Sequence, residues 1–97
     1  MYYNTVEITL NKLYLGGKLK MRVFNIILNS INDVKEFVNI VSKYDFDIDL
    51  TSGRYVVDAK SIMGIFSLNL SKAIKVEAHC GDQEEKFMAD LKRFIVE

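Results

Sequence analysis

From residue 22 onward the apolar residues switch repeatedly between two spacings. Phe24, Ile26 and Leu28 recur at every second position and predict a strand over about 22–28. Asn29-Ser30 then opens a helix, with Ser30 as its cap and Asp33 favourably placed at the positive helix end. Val34, Phe37, Val38 and Val41 repeat at helical spacing and define a buried stripe that runs through about Lys43. Phe46, Ile48 and Leu50 alternate with Asp47 and Asp49, which predicts a second strand with one wet, acidic face. Thr51-Ser-Gly-Arg54 reads as a turn in which Gly53 can take a positive φ, and Tyr55–Asp58 returns as an antiparallel third strand. Ile74, Val76, Ala78 and Cys80 alternate as a fourth strand that Gly81 stops. Asp82-Gln-Glu-Glu85 has capping-box spacing, and Phe87, Met88, Leu91, Phe94 and Ile95 form the stripe of a last helix.

Between the third and fourth strands lies a denser stretch. Ser61 stands where a short helix over 61–69 should begin, since its oxygen can accept from the unpaired N–H groups of a first turn. Ile62, Met63, Ile65, Phe66 and Leu68 then follow within seven positions. A two-turn helix buries three or four such residues on one face, so part of this set is expected at the surface. The element order is β-α-β-β-α-β-α, with helices on one face of an antiparallel sheet.

Residues 1–20 read differently. Val6, Ile8 and Leu10 alternate as a strand, and Gly16-Gly17 precedes a second extended run as a hairpin signal. The Gly-Gly pair, followed by Lys18-Leu-Lys20 and Met21, is also what translation through a ribosome-binding site gives. The expected division is therefore an N-terminal extension over 1–20 and one domain over 21–97.

Composition narrows the function classes. The 97 residues carry 13 basic and 13 acidic side chains, and without residues 1–20 the balance is 10 to 12. Neither version has the basic footprint of a nucleic-acid binder. No apolar run reaches the length of a membrane span, and the N-terminus lacks the layout of a secretory signal. Cys80 is the single cysteine, so no internal disulfide forms and a cytoplasmic location is expected. No cofactor or metal is expected. Asp45, Asp47 and Asp49 line the wet side of a sheet, while His79 and Cys80, as strand neighbours, point to opposite faces.

The same order, with Ser42-Lys-Tyr-Asp45 and Lys60-Ser-Ile-Met-Gly64, resembles the HPr family, the histidine phosphocarriers of the bacterial phosphoenolpyruvate:sugar phosphotransferase system. The likeness covers about 21–96, and Ser42 to Leu70 aligns without a gap. It implies an α+β fold, the HPr-like open-faced β-sandwich, with a four-stranded antiparallel sheet and three helices on one face. HPr holds phosphate on a histidine opening its first helix, in a Gly-x-His-x-Arg-Pro context. The matching stretch here, Leu28-Asn-Ser-Ile-Asn-Asp-Val34, has no His, Arg or Pro, and Asp33 would repel phosphate.

The family's other site is retained. The resemblance makes Ser61 the serine phosphorylated by HPr kinase and puts Lys60, Ile62, Met63, Phe66 and Ser67 in a partner-docking patch. A plain helix cap explains Ser61 without any kinase and is the favoured reading of that residue alone. The expected function is a non-catalytic regulatory or adaptor protein, not an enzyme, whose partners are proteins: HPr kinase, the catabolite control regulator or another phosphotransferase-system component. A monomer or weak homodimer is expected, with no nucleic-acid or membrane partner. Two alternatives remain: a true phosphoryl carrier using His79 or Ser30, and a protein that self-associates through a strand in 1–20.

Overall fold

The computed structural model describes residues 21–96. The strand and hairpin expected within 1–20, and with them the division at Met21, lie outside the described residues.

Alternation at Phe24 and Ile26 gives β1, Arg22–Ile26, an interior strand of the sheet. Ser30 caps α1, Ile31–Val41, by accepting from the Asp33 N–H at 3.1 Å, and Val34, Phe37 and Val41 form its buried stripe. β2, Ile48–Ser52, and β3, Tyr55–Asp58, are joined by a two-residue turn. In that turn Gly53 has φ +61 and Arg54 has a negative φ, the sign pattern of a type II′ hairpin. The short helix α2, Ile62–Phe66, follows, then β4, Ile74–Ala78. A 3₁₀ turn at Gly81–Gln83 leads into α3, Glu84–Asp90, and a second at Lys92–Phe94 leads into β5, Ile95–Val96. All pairings are antiparallel, in the order β3-β2-β4-β1-β5.

The α+β architecture with an antiparallel sheet and three helices agrees with the sequence, and the strand count is five where four are expected. The difference lies in the last element. The stripe from Phe87 to Ile95 predicts one continuous helix, but the chain leaves α3 after Asp90. Phe94 packs edge-on against Phe37 at 5.9 Å, its carbonyl accepts from the Ile27 N–H at 2.9 Å, and Ile95 and Val96 pair with Ile26 and Asn25. Part of the β1 edge thereby gains backbone partners that a helix could not supply. The expected capping box does not form either. Gly81 at φ +53 and the 3₁₀ turn shift the start of α3 to Glu84, and no side chain caps it.

The core sits between sheet and helices. Ile26, Leu50, Ile74 and Val76 from the sheet meet Val34, Phe37, Phe87 and Leu91 from α1, α3 and the residue after α3, all fully buried. Phe87 is an aromatic hub, with Phe24, Tyr44 and Phe46 at ring-centroid distances of 6.1, 5.2 and 5.1 Å. Such edge-to-face pairs add to the stabilisation from buried area. Among the described residues the far side of the sheet carries no helix, and Val23, Asn25, Lys75 and Val56 are exposed there.

Candidate functional site

Two helix N-termini and the groove between their elements make up the candidate site. The turn after β3 sets the first. The Asp58 carboxylate accepts from the Lys60 N–H at 2.8 Å, and the Asp58 carbonyl accepts from the Ser61 N–H at 3.0 Å. That turn buries Ala59 and leaves Ser61 in extended conformation as the cap of α2. Ser61 Oγ accepts from the Gly64 N–H at 3.1 Å. A Cβ at Gly64 would lie 3.1 Å from that oxygen and 3.2 Å from Val57 Cβ, so this helix is seated close on β3. α2 ends at Phe66, earlier than the sequence predicts, because the Ser67 hydroxyl donates to the Gly64 carbonyl at 2.6 Å and Leu68 turns inward.

The apolar excess divides as the spacing implies. Ile65 is fully buried, Ile62 packs half-buried against the core, Met63 is 76% exposed and Phe66 is 40% exposed. Ser61 and Ser67 are exposed. Lys60 is half-buried, and its ammonium donates to the Phe46 carbonyl at 3.1 Å, so the loop before β2 holds its charge. The helix thus presents Met63 and Phe66 as its apolar surface, with Ser61 at one end.

Sequence reasoning missed the other side of this surface. Ile31, the first residue of α1, is 63% exposed. A groove of about 520 Å³ runs between the Leu28–Ile31 loop and Phe66, Leu70 and Ser71. An isoleucine directly after a helix cap was the available signal.

The N-terminus of α1 is closed by the protein's own side chains. Ser30 Oγ accepts from the Asp33 N–H, and the Asp33 carboxylate accepts from the Asn29 N–H at 2.9 Å. Arg93, from the segment after α3, donates to Asp33 at 3.2 Å and also to Glu36. Arg93 was not singled out by the sequence because it lies 60 residues away from Asp33. The Ser30 hydroxyl therefore takes one of the first-turn donors that an anion would use, and the Asp33 carboxylate places a negative charge at the same helix end.

His79 is far from this end. It follows Ala78, which pairs with Arg22, whereas the loop before α1 follows the Ile26 end of β1, which pairs with Ile74. The imidazole is exposed, and its backbone N–H donates to the Asp47 carbonyl at 3.0 Å. Cys80 is buried. Among the described residues no group of three His, Cys, Asp or Glu side chains is placed to hold a metal ion, and no helix is long and apolar enough to cross a membrane.

One polar cluster was invisible in the sequence. The buried Tyr44 ring carries its hydroxyl outward to donate to Asp90, and Lys86 donates to both at 3.3 Å. Burial, then the hydrogen bond to Asp90, raises the Tyr44 pKa. The hydrogen bond from Tyr44 holds Asp90 below the usual carboxylate range. Bonds to Tyr44 and Asp90 raise Lys86.

The model of the family described as the PTS HPr component phosphorylation site matches residues 32–97. The chain belongs to the HPr family. HPr-C-His from Thermoanaerobacter tengcongensis is 32% identical, with a TM-score of 0.59 over 76% of this chain and 88% of that one. The phosphocarrier protein HPr from Bacillus anthracis str. Ames is 22% identical and shares the fold, with a TM-score of 0.59 over 78% of this chain and 98% of that one. A search of the curated proteins returns no match. HPr proteins of the phosphotransferase system are phosphocarriers rather than catalysts, and they work by contact with other proteins of that system. The family match begins at residue 32, one residue into α1.

Proposed function

We propose that this HPr family member is a non-catalytic regulatory adaptor that docks protein partners through α2 and has lost the carrier reaction. The observation that carries this reading is the contrast between its two helix ends. The α1 end has Ser30 where the carrier would stand; Ser30 accepts from the Asp33 N–H, and the Asp33 carboxylate, tied to Arg93 and to the Asn29 N–H, lies in the first turn. Phosphoryl transfer depends on positioning and on charge stabilisation around the transferred group. Asp33 supplies the wrong sign of charge, and the sole histidine lies at the other end of the sheet.

The α2 end keeps what docking requires. Phe66 and Ile31 are exposed apolar residues lining a groove, Met63 is exposed on the same helix as Phe66, and methionine adapts its shape to a partner. Ser61 acts as a switch on this surface. Its hydroxyl is exposed at the helix N-terminus, where a phosphate would gain acceptor oxygens for first-turn N–H groups and would add negative charge beside the patch. Incubation with HPr kinase and ATP, followed by peptide mass spectrometry, tests the switch. One phosphate on Ser61, absent in Ser61→Ala, is expected. An unmodified chain under conditions that label an authentic HPr contradicts the switch and leaves docking to be tested separately.

A further inference from the structure

β3 forms one end of the sheet, and among the described residues no strand lies on its outer side. Its backbone alternates in direction. The Ala59 N–H donates to the Ile48 carbonyl at 2.9 Å, so the odd-numbered residues of this segment bond to β2; Val56 turns both its backbone groups to the free edge, and Asp58 turns its N–H there while its carbonyl accepts from the Ser61 N–H. The four-residue edge carries no proline, lysine or bulge, and its one charged residue is Asp58. Val56 is 62% exposed and Tyr55 68% exposed.

We propose that this edge is a self-association surface on which a second copy of the chain pairs antiparallel, β3 to β3, about a two-fold axis at Val56. In this register Val56 faces Val56 of the second copy, and the two residues exchange both N–H···O bonds. Tyr55 then lies opposite Val57 of the second copy, and Arg54, in the turn next to Tyr55, comes beside Asp58 of the second copy. The symmetry makes that ion pair twice. Arg54 makes no ion pair within the described chain, while Asp58 uses one carboxylate oxygen on the Lys60 N–H. Sliding the register by one pair in either direction sets each Val56 against a charged residue. The charge pattern Arg54-x-Val56-x-Asp58 therefore selects one two-fold pairing. Paired residues of a sheet share a face, so the two α2 helices come to lie on the same side of the joined sheet.

The test is sedimentation velocity of the full chain over a concentration series to about 1 mM, a range suited to a small interface. Wild type is expected to dimerise. Arg54→Glu and Asp58→Arg each place like charges opposite one another twice and should weaken the dimer by about tenfold. An equimolar mixture of the two variants restores both ion pairs and should associate as well as wild type. Recovery on mixing excludes misfolding as the cause of the single-variant loss. A wild type that stays monomeric, or single variants that associate as well as wild type, overturns the proposal. So does a mixture no tighter than its components. Amide exchange at Val56 identifies the occupant: protection that rises with concentration supports the second copy. Protection independent of concentration means that the chain's own residues 1–20 cover the edge, and it overturns the pairing.

Discussion

Arg93 Nη2 lies 3.2 Å from Asp33 Oδ1, although the two residues belong to opposite ends of the domain. The contact links the segment after α3 to the first turn of α1, and the guanidinium also stacks on the Phe94 ring at 4.2 Å. Asp33 is thereby held on the helix end. Arg93→Ala should cost about 1 kcal/mol in urea unfolding, part ion pair and part ring contact. Asp33→Ala should cost a similar amount by removing the partner of the Asn29 N–H and the charge favoured by the helix end. A double-mutant cycle should show a coupling of under about 1 kcal/mol, reduced in about 1 M salt because Arg93 is half-exposed. Zero coupling at low salt would mean that the contact is incidental.

The Tyr44–Asp90–Lys86 cluster gives stability a defined pH dependence. The Asp90 pKa is lowered on folding, so its contribution is present above the unfolded carboxylate value and is lost as pH falls through the folded value. Tyr44 is raised, so its contribution is complete below the ordinary phenol value of about 10 and is lost as pH rises through the folded value. Lys86 is raised as well and adds to the alkaline loss. Tyr44→Phe should flatten the alkaline limb of a melting-temperature profile and cost about 1 kcal/mol at neutral pH through the lost hydrogen bond. Asp90→Asn should flatten the acid limb. Unchanged limbs in both variants would show that the cluster does not couple to folding.

Neighbouring residues of α2 should separate stability from binding. Met63→Asp alters a side chain that is 76% exposed and should change stability by less than about 0.5 kcal/mol. Ile65→Ala leaves a cavity under the same helix and should cost about 2–4 kcal/mol. With a purified phosphotransferase-system protein that binds the wild type, Met63→Asp and Phe66→Ala should each raise the dissociation constant at least about tenfold in calorimetry. Equal affinities would move the docking surface away from α2.

The sequence carried most of the fold because most elements rest on local signals. Alternation at Phe24/Ile26 and at Ile74/Val76/Ala78, the caps at Ser30 and Ser61, and Gly53 in its turn all formed as read. The last element failed because its apolar spacing fits a helix, while pairing of Ile95 and Val96 with β1 depends on residues about 70 positions earlier. The same limit applies to the site. The crowding after Ser61 was visible as local density, and Met63 and Phe66 are its exposed members. The groove to Ile31 and the Arg93–Asp33 pair arise from tertiary packing that no local pattern encodes.

The central claim is that the fold keeps a docking helix and lacks the carrier function. Transfer from phosphoenolpyruvate through enzyme I tests it most directly, with isotopic label followed on this chain and on an authentic HPr in parallel reactions. No label on this chain, with full label on the HPr, is the expected result. Acid-labile label on this chain, lost in His79→Ala, would contradict it and establish a carrier with a displaced acceptor.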